Sequence, residues 1–433
     1  MDKVGGVIVA AGRGERMGAP INKAFLPLGG RPLFLHSVLT FEAAPAVDTY
    51  VVVSHPEDAA FCRALLAPYG LRKLVAVVDG GAIRQESAAA GVRSLPDVCC
   101  LVAVHDAARP LLSLELLQGA VERARDGSRS SSPGTGPATL GAALVVAVPV
   151  KETIKLVDES GQVRDTPDRR RLWAAQTPQI FRRDLLLRAY AEAERDGFVG
   201  TDDASLVERL GAPVEVYQGE YGNIKVTTPE DWRMAQALLE QRALVVPVSA
   251  ERGFVPAAAA VAAPGSVASG LARPASVRVG IGYDVHPFDS GRPLFLGGVE
   301  IPEGPGLAGH SDADVALHAL MDACLGAAGL RDIGQHFPPG DPRWKDAPSL
   351  ALLASVRSML EAAGYTVNQV DLAIAAETPR LAPYVERMQQ RIGVVLGIPP
   401  GNVGIKATTS EGLGFVGRKE GIAVWAIATV VNG

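Results

Sequence analysis

The sequence predicts an α/β protein in two lobes, and three observations predict it. Short apolar β-rich runs alternate with helical stretches over the first 245 residues, the pattern of a doubly wound, mainly parallel sheet. From about Val248 to Pro274 the chain turns Ala/Pro/Gly/Ser-rich and loses any helical or strand period, so this stretch cannot build a core. Beyond it the chain opens on a new strand and mixes strands and helices, as in an α/β or α+β sandwich small enough to fold alone. The expected boundaries are 1–245, an Ala/Pro-rich linker over 246–276, and 277–433.

In the first lobe Val4–Ala10, Thr49–Ser54, Leu74–Val78 and Cys100–Val104 read as buried strands. Val4–Gly12 is too short and runs too directly into Arg13, Glu15 and Arg16 to be a signal peptide. Pro56–Tyr69 and Glu86–Leu95 read as helices between the strands. Ile224–Val226 reads as a short apolar strand holding Lys225. A helix then starts at Thr228 as cap, with Pro229 first and Glu230 and Asp231 following. Gly127–Pro137 (GSRSSSPGTGP) reads as a surface loop. In the second lobe a strand is expected at Val277–Gly282 and a helix from Ser311, where Val315, His318, Ala319 and Asp322 recur at helical spacing. A helix at Leu350–Ala363 and strands at Gln369–Ala375 and Ile422–Val431 complete it.

Composition narrows the function. The 433 residues are 48% hydrophobic, which excludes general disorder. A net charge of −5 argues against a broad nucleic-acid or membrane-surface footprint, so any anionic ligand must be held by local positive clusters. Cys62, Cys99, Cys100 and Cys324 form no CxxC and fit a reducing, cytoplasmic setting. Phe254–Ala272 carries no charge, but Pro256, Pro264 and its many small residues make it a poor membrane span.

Directly after the first strand stands Ala10-Ala11-Gly12-Arg13-Gly14-Glu15-Arg16-Met17-Gly18, with Lys23 soon after. Glycines let backbone N–H groups approach an anion, and Arg16 and Lys23 would neutralise charge growing on a phosphoryl centre. A tight turn with solvated basic residues is the other reading. There is no Walker GxxxxGK[ST], and Met17 stands where a dinucleotide fingerprint needs its third glycine. Asp106, at the end of the fourth strand, suits a magnesium ion or its water shell, or equally a turn. Asp168-Arg169-Arg170-Arg171 reads by itself as a solvated charge run. In the second lobe Asp284 and His286 are one residue apart on an extended segment, so their side chains point the same way, about 6–7 Å apart at the backbone. His318 would supply a third ligand and leave one tetrahedral position open, as a catalytic zinc needs, unless it is an unrelated helical histidine.

The wider sequence chooses between these readings. AAGRGERMG…NKAF, GGAIRQES, VHDAARP, ETIK, QTPQIF, TDDAS and NIKVTTPED, in this order, resemble 2-C-methyl-D-erythritol 4-phosphate cytidylyltransferase over residues 4 to about 240. The resemblance implies a Rossmann-like nucleotidyltransferase that moves CMP from CTP to methylerythritol phosphate with Mg²⁺. It implies that Arg16 and Lys23 stabilise the pentacoordinate α-phosphate and that Arg169 and Lys225 steer the attacking phosphate. Ala11, Gly12 and Gly14 would contact the nucleotide phosphates, Gly81 and Ser87 the cytosine or ribose, and Asp106, Arg109 and Thr153 a metal or the acceptor. The family is dimeric, and its acceptor site borrows residues from the partner.

GIGYDVHPF, LGGVEIP, GLAGHSDADVALHALMDACLGAAGLRDIGQHFP and IKATTSEGLGFVGRKEG resemble 2-C-methyl-D-erythritol 2,4-cyclodiphosphate synthase over residues 277–431. That resemblance implies Asp284, His286 and His318 as zinc ligands, with Mg²⁺ or Mn²⁺ as a second ion. His310, Thr409 and Ser311 would stabilise developing charge. Asp332, Ile333 and Gly334 would hold the erythritol end, and Thr408, Ser410, Glu411, Phe415 and Arg418 the cytidine end. Pro339 stands where an acid is often seen. The family is trimeric, with sites shared between subunits.

The expected whole is a bifunctional homo-oligomer of isoprenoid precursor synthesis, without nucleic-acid or membrane partners. The rivals are a sugar-phosphate nucleotidyltransferase fused to a metal-dependent phosphohydrolase, and a non-catalytic scaffold. No kinase signature is present, so the first product is not the second substrate, and association with the intervening kinase is a further expectation.

Overall fold

The computed structural model describes residues 2–12, 22–129, 143–245, 277–338, 340, 341, 344 and 347–432. Gly14, Arg16, the 246–276 linker, Pro339 and most of the Gly127–Pro137 loop lie outside the described residues. The chain forms two compact units, the first drawn mainly from residues 1–250 and the second mainly from 251–433.

The first unit carries strands β1 (Lys3–Val9), β2 (Thr49–Ser54), β3 (Leu74–Asp79), β4 (Cys99–Asp106), β5 (Ala143–Pro149), β6 (Trp173–Arg182) and β7 (Glu215–Gln218). They form one sheet in the order β7-β5-β6-β4-β1-β2-β3. Every neighbouring pair is parallel except those made by β6, which runs antiparallel to both β4 and β5. The expected doubly wound sheet is therefore present, with one reversed strand. The helices along residues 33–245 include α1 (Leu33–Ala43), α2 (Ala59–Leu66), α3 (Arg84–Ser94), α4 (Leu114–Arg129), α5 (Arg183–Arg195), α6 (Asp203–Arg209) and α7 (Pro229–Val245), of which α2 falls almost wholly in the second unit. The core packs Val7, Val53, Val102 and Val104 of the sheet against Val92, Leu186 and Val207 of α3, α5 and α6.

Two expectations are adjusted here. Pro56–Tyr69 is a 3₁₀ turn, then α2, then another 3₁₀ turn, because Pro56 and Pro68 interrupt it at both ends. Ile224–Val226 is not a strand. Its Val226 N–H donates to the Ala108 carbonyl at 2.8 Å, but no ladder forms around that bond.

β4 ends in His105 and Asp106, and His105 is a fully buried imidazole (0% exposed). Its Nδ1 lies 3.0 Å from Thr177 Oγ1 and its Nε2 3.2 Å from the Arg109 carbonyl. Burial lowers its pKa to about 4, outweighing the opposing pull of Asp106 and of the Arg109 carbonyl.

The second unit has a five-stranded mixed sheet in the order β9-β8-β12-β10-β11. These strands are β8 (Val277–Asp289), β9 (Gly306–Leu307), β10 (Tyr365–Ala375), β11 (Val403–Thr408) and β12 (Gly421–Asn432). Only β10 and β11 pair in parallel. Helices α8 (Val315–Ala328), α9 (Ile333–His336), α10 (Ser349–Ala362), α11 (Val385–Leu396) and α12 (Gly414–Gly417) complete the described elements used below. α8 starts four residues later than the helix expected from Ser311. Ala313 sits at φ 58°, outside helical space, and Asp314 caps the helix by accepting from the Leu317 N–H at 3.0 Å. The same carboxylate also accepts from the Gly297 and Gly298 N–H groups, at 2.9 and 2.6 Å.

β8 alternates strictly. Val279 and Ile281 are 65% and 70% exposed, whereas Gly280 and Gly282 face α8. A Cβ on Gly282 would stand 1.9 Å from the Ala319 carbonyl oxygen, and one on Gly280 2.1 Å from that of Ala323. The helix backbone thus lies directly on the strand, an approach only glycine permits.

Two outcomes follow from this packing. Gly282→Ala should destabilise the second unit by about 3 kcal/mol or more, since backbone must move. Gly401→Ala, which meets nothing within 4 Å, should stay within about 0.5 kcal/mol in the same denaturation assay. In the first unit, an unfolded histidine takes up a proton below its ordinary value of 6.5, while folded His105 resists until about 4. Its contribution is therefore complete above pH 6.5 and declines by about 3 kcal/mol towards pH 4. His105→Gln should flatten that slope in urea melts.

Candidate functional sites

In the first unit a cavity of about 690 Å³ opens at the carboxyl ends of β1 and β4, where open α/β sheets bind ligands. Ala11, Gly12 and Lys23 line one side of it, and Gly81, Ser87 and Arg84 another. Asp106 and Lys225 stand between them. Local bonds fix each group. Asn22 accepts from the Ala24 N–H and donates to the Ala10 carbonyl, which ties the Lys23 turn to the end of β1. Ser87 Oγ accepts from the Gly81 N–H at 3.1 Å and donates to the Ile83 carbonyl at 3.1 Å, closing the turn that opens α3.

Lys225 reaches the cavity because its segment is docked from below. Arg109 Nη1 donates to the Asn223 carbonyl at 2.7 Å, and Asn223 Nδ2 donates to the Thr177 carbonyl at 2.9 Å. Lys225 Nζ then meets Asp106 Oδ2 at 2.7 Å, while Arg84 Nε meets Asp106 Oδ1 at 2.8 Å. Burial pushes the Asp106 carboxyl up, but these two cations overcome it and hold it well below the usual carboxylate range. Lys23 Nζ lies 3.5 Å from the Val226 carbonyl, so three cationic side chains share one cavity, as an anionic ligand requires.

Not every expected residue joins them. Arg109 grips backbone carbonyls of residues 175 and 223 rather than lining the cavity. Thr153 and Arg169 are exposed on the segment after β5, and Arg169 donates to the Lys151 carbonyl. Asp106 has both oxygens engaged by cations, and neither is left to face an ion alone. Arg84, Asp203 and Tyr190 escape the sequence reading. The only signals pointing to them are the GGAIRQES and TDDAS runs in which the first two sit.

In the second unit Asp284, His286 and His318 bring ligand atoms within 4.8 Å of one another. Asp284 Oδ2 lies 3.2 Å from the Nδ1 atoms of both histidines. Burial raises the Asp284 carboxyl, and the two imidazoles beside it reverse this, bringing its pKa down to about 2. His286 Nδ1 is buried without a well-aligned hydrogen-bond partner. Two imidazoles and a carboxylate with an orphaned ring nitrogen fit a zinc-type divalent ion. The far nitrogen of His318 lies 3.1 Å from both Ser311 Oγ and Ser349 Oγ, and Ser349 Oγ donates to Asp312, which fixes the ring. His310 Nε2 is a second buried nitrogen without a partner.

Asp332 caps α9, and the Ile333 N–H donates to Asp322 at 2.8 Å, so Asp332, Ile333 and Gly334 form a fixed turn at the exposed surface. Thr408 stands elsewhere. Val285 pairs with Ala423, Ala423 with Ala375, and Ala375 with Thr408, which puts Thr408 three strand spacings, about 14 Å, from the Asp284–His286 strand. Thr409 donates to Glu411 at 2.8 Å, Ser410 donates to Glu377, and Arg418 pairs with Glu420. Together with Phe415 these groups lie on the loop between β11 and β12, whose far end returns to the ligand strand, where the Phe288 N–H donates to the Glu420 carbonyl at 3.0 Å.

Among the described residues no helix is long and apolar enough to cross a membrane. Residues 4–241 match the family model for 2-C-methyl-D-erythritol 4-phosphate cytidylyltransferase, and 277–431 match the YgbB family. A relative from Desulforudis audaxviator (strain MP104C), the bifunctional enzyme IspD/IspF, is 42% identical and covers 98% of this chain and 96% of its own. Its namesake from Anaeromyxobacter dehalogenans (strain 2CP-C) is 43% identical over 100% of this chain and 98% of its own. The structure of the bifunctional IspDF from Campylobacter jejuni is 27% identical, covers 100% of this chain and 99% of that one, and superposes with a TM-score of 0.46. By the family and relative matches the chain belongs to the bifunctional IspD/IspF enzymes, a cytidylyltransferase-family domain followed by a YgbB-family domain.

Proposed function

We propose that the chain catalyses two reactions of non-mevalonate isoprenoid precursor synthesis. The first unit transfers CMP from CTP to 2-C-methyl-D-erythritol 4-phosphate and releases pyrophosphate. The second closes 4-(cytidine 5′-diphospho)-2-C-methyl-D-erythritol 2-phosphate to the 2,4-cyclodiphosphate and releases CMP. The observation that carries this reading is the pairing, in one chain matched by both families, of a cation-lined cavity with a carboxylate–imidazole cluster.

Each step is a displacement at phosphorus. In the first, an acceptor phosphate oxygen attacks the α-phosphorus of CTP and the bond to pyrophosphate breaks. Arg16 and Lys23 offset the charge that builds on the equatorial oxygens, and Lys225 with Arg169 orients the attacking phosphate. Ala11, Gly12 and Gly14 receive the nucleotide phosphates, and Gly81 and Ser87 the cytidine. In the second, the 2-phosphate oxygen attacks the β-phosphorus and CMP leaves, while His310, Thr409 and Ser311 offset the developing charge. Asp284, His286 and His318 would hold Zn²⁺, which when bound would supply polarisation of the attacked phosphate, and Mg²⁺ or Mn²⁺ would serve the CTP triphosphate in the first unit and the diphosphate in the second.

Both sites are completed by further copies of the chain. Support comes from Thr153 and Arg169, exposed and absent from the cavity lining, and from the 14 Å or so that separates Thr408 from the ligand strand. An exposed apolar sheet face built from Ile281, Tyr283, Trp425 and Ile427 supports a trimeric contact in the second unit. A dimeric contact serves the first. Boundaries near 245 and 277, a cytoplasmic setting and association with the kinase that adds the 2-phosphate belong to the same reading, since the first product lacks that phosphate.

Arg16→Ala should lower cytidylyl transfer at least about tenfold, because a transition-state cation is removed, while cyclisation is unchanged. Asp284→Ala should do the reverse and lose bound zinc by elemental analysis. Full zinc content in Asp284→Ala would overturn the ligand assignment, and full transfer by Arg16→Ala the phosphate one.

A further inference from the structure

Behind Asp106 lies a chain of charges that the reaction scheme does not use. Asp203, the first residue of α6, is fully buried at 0% exposure. Its Oδ1 accepts from the Tyr190 hydroxyl of α5 at 2.7 Å, and its Oδ2 accepts from Arg84 Nη1 at 3.0 Å. Arg84 is the first residue of α3, and its Nε donates in turn to Asp106 Oδ1 at 2.8 Å. Asp106 completes the run by accepting from Lys225 Nζ at 2.7 Å. Reading outward, the order is Tyr190, Asp203, Arg84, Asp106, Lys225, with charge alternating from Asp203 onward.

A buried carboxylate costs several kcal/mol unless its lone pairs are filled, so Asp203 would not persist here as a merely tolerated acid. The planar guanidinium bridges two carboxylates through different nitrogens, which fixes its plane and with it the Asp106 rotamer. The backbone reinforces this from the other side, since the Asp106 N–H donates to Thr177 Oγ1 at 3.0 Å. Lys225 itself is 40% exposed on a segment that forms no strand, and its ammonium is paired with Asp106. The position of that ammonium in the cavity is therefore set by a carboxylate whose own position is set by three residues from α3, α5 and α6.

We propose that Arg84, Asp203 and Tyr190 are positioning residues for cytidylyl transfer, holding Asp106 so that Lys225 meets the acceptor phosphate in one place. The proposal rests on the reading of Lys225 as the group that orients that phosphate. It predicts losses graded along the chain: Asp203→Asn weakens the bridge and Tyr190→Phe removes one bond from its far end. Arg84→Lys keeps the charge but cannot span both carboxylates.

The test uses the full chain, with cyclisation by the second unit as the internal control for integrity. Steady-state transfer is measured for Lys225→Met, Tyr190→Phe, Asp203→Asn and Arg84→Lys, and for Tyr190→Phe combined with Lys225→Met. kcat/KM for methylerythritol phosphate should fall about 3- to 10-fold in Tyr190→Phe and more in Asp203→Asn and Arg84→Lys. KM for CTP should stay within about twofold, and Tyr190→Phe should cost nothing further once Lys225 is replaced by Met. If Tyr190→Phe and Asp203→Asn only lower the melting temperature, or if the losses multiply in full in the double variant, the relay is structural and the proposal is overturned. Should Lys225→Met itself transfer normally, the reading of Lys225 fails, and the positioning role falls with it.

Discussion

The second unit depends on how closely one helix can lie on one strand. α8 rests with its backbone against Gly280 and Gly282, and the distances leave no room for a methyl group at either position. The two elements also keep pace. Four helical residues rise about 6 Å and two strand residues about 6.6 Å, so Ala323 meets Gly280 and Ala319 meets Gly282, and His318, beside Ala319 in the helix, reaches Asp284, the next inward residue of the strand. The ligand cluster is the continuation of a packing rhythm set by glycine and alanine. Bulkier residues in that seam would push the helix outward, and its histidine could no longer close on the strand.

The first unit solves the opposite problem, which is to gather cations without letting them repel one another. Lys23, Arg84 and Lys225 come from a turn, a helix start and an irregular segment, each tied down by backbone bonds. Buried Asp106 and Asp203 are interleaved with them and keep the cluster near neutrality until an anion arrives. The reversed strand β6 contributes here, because its Thr177 and Ala175 carbonyls receive Asn223 and Arg109 and so anchor the segment before Lys225.

Local patterns are legible in the sequence and long-range ones are not. The strands of the doubly wound sheet, the Thr228–Pro229 helix start and the same-side placement of Asp284 and His286 all follow from periods and caps within a few residues. Periodicity misplaces the start of α8 because the motif runs on through Ser311–Asp314, while the backbone at Ala313 turns left-handed and Asp314 takes the cap. Ile224 and Val226 suggest a strand around Lys225 because they are apolar, yet their burial comes from packing against α7 and α1 residues rather than from a sheet. The link from Arg84 to Asp203 spans 119 positions, and no local pattern carries a contact of that range. Residues 408–418 carry motifs strong enough to identify their family, but the distance of Thr408 from the ligand strand emerges only from sheet register.

β8 answers to a demand on each of its faces. Its inward positions run from the close-packing glycines 280 and 282 to Asp284 and His286, and its outward positions present Val277, Val279, Ile281 and Tyr283 to whatever covers the sheet. A strand read on both sides has no neutral positions. Genetic drift in this half of the chain must accumulate elsewhere, in its loops and helix exteriors, and a random mutational library should find its deepest depletion along residues 277–286.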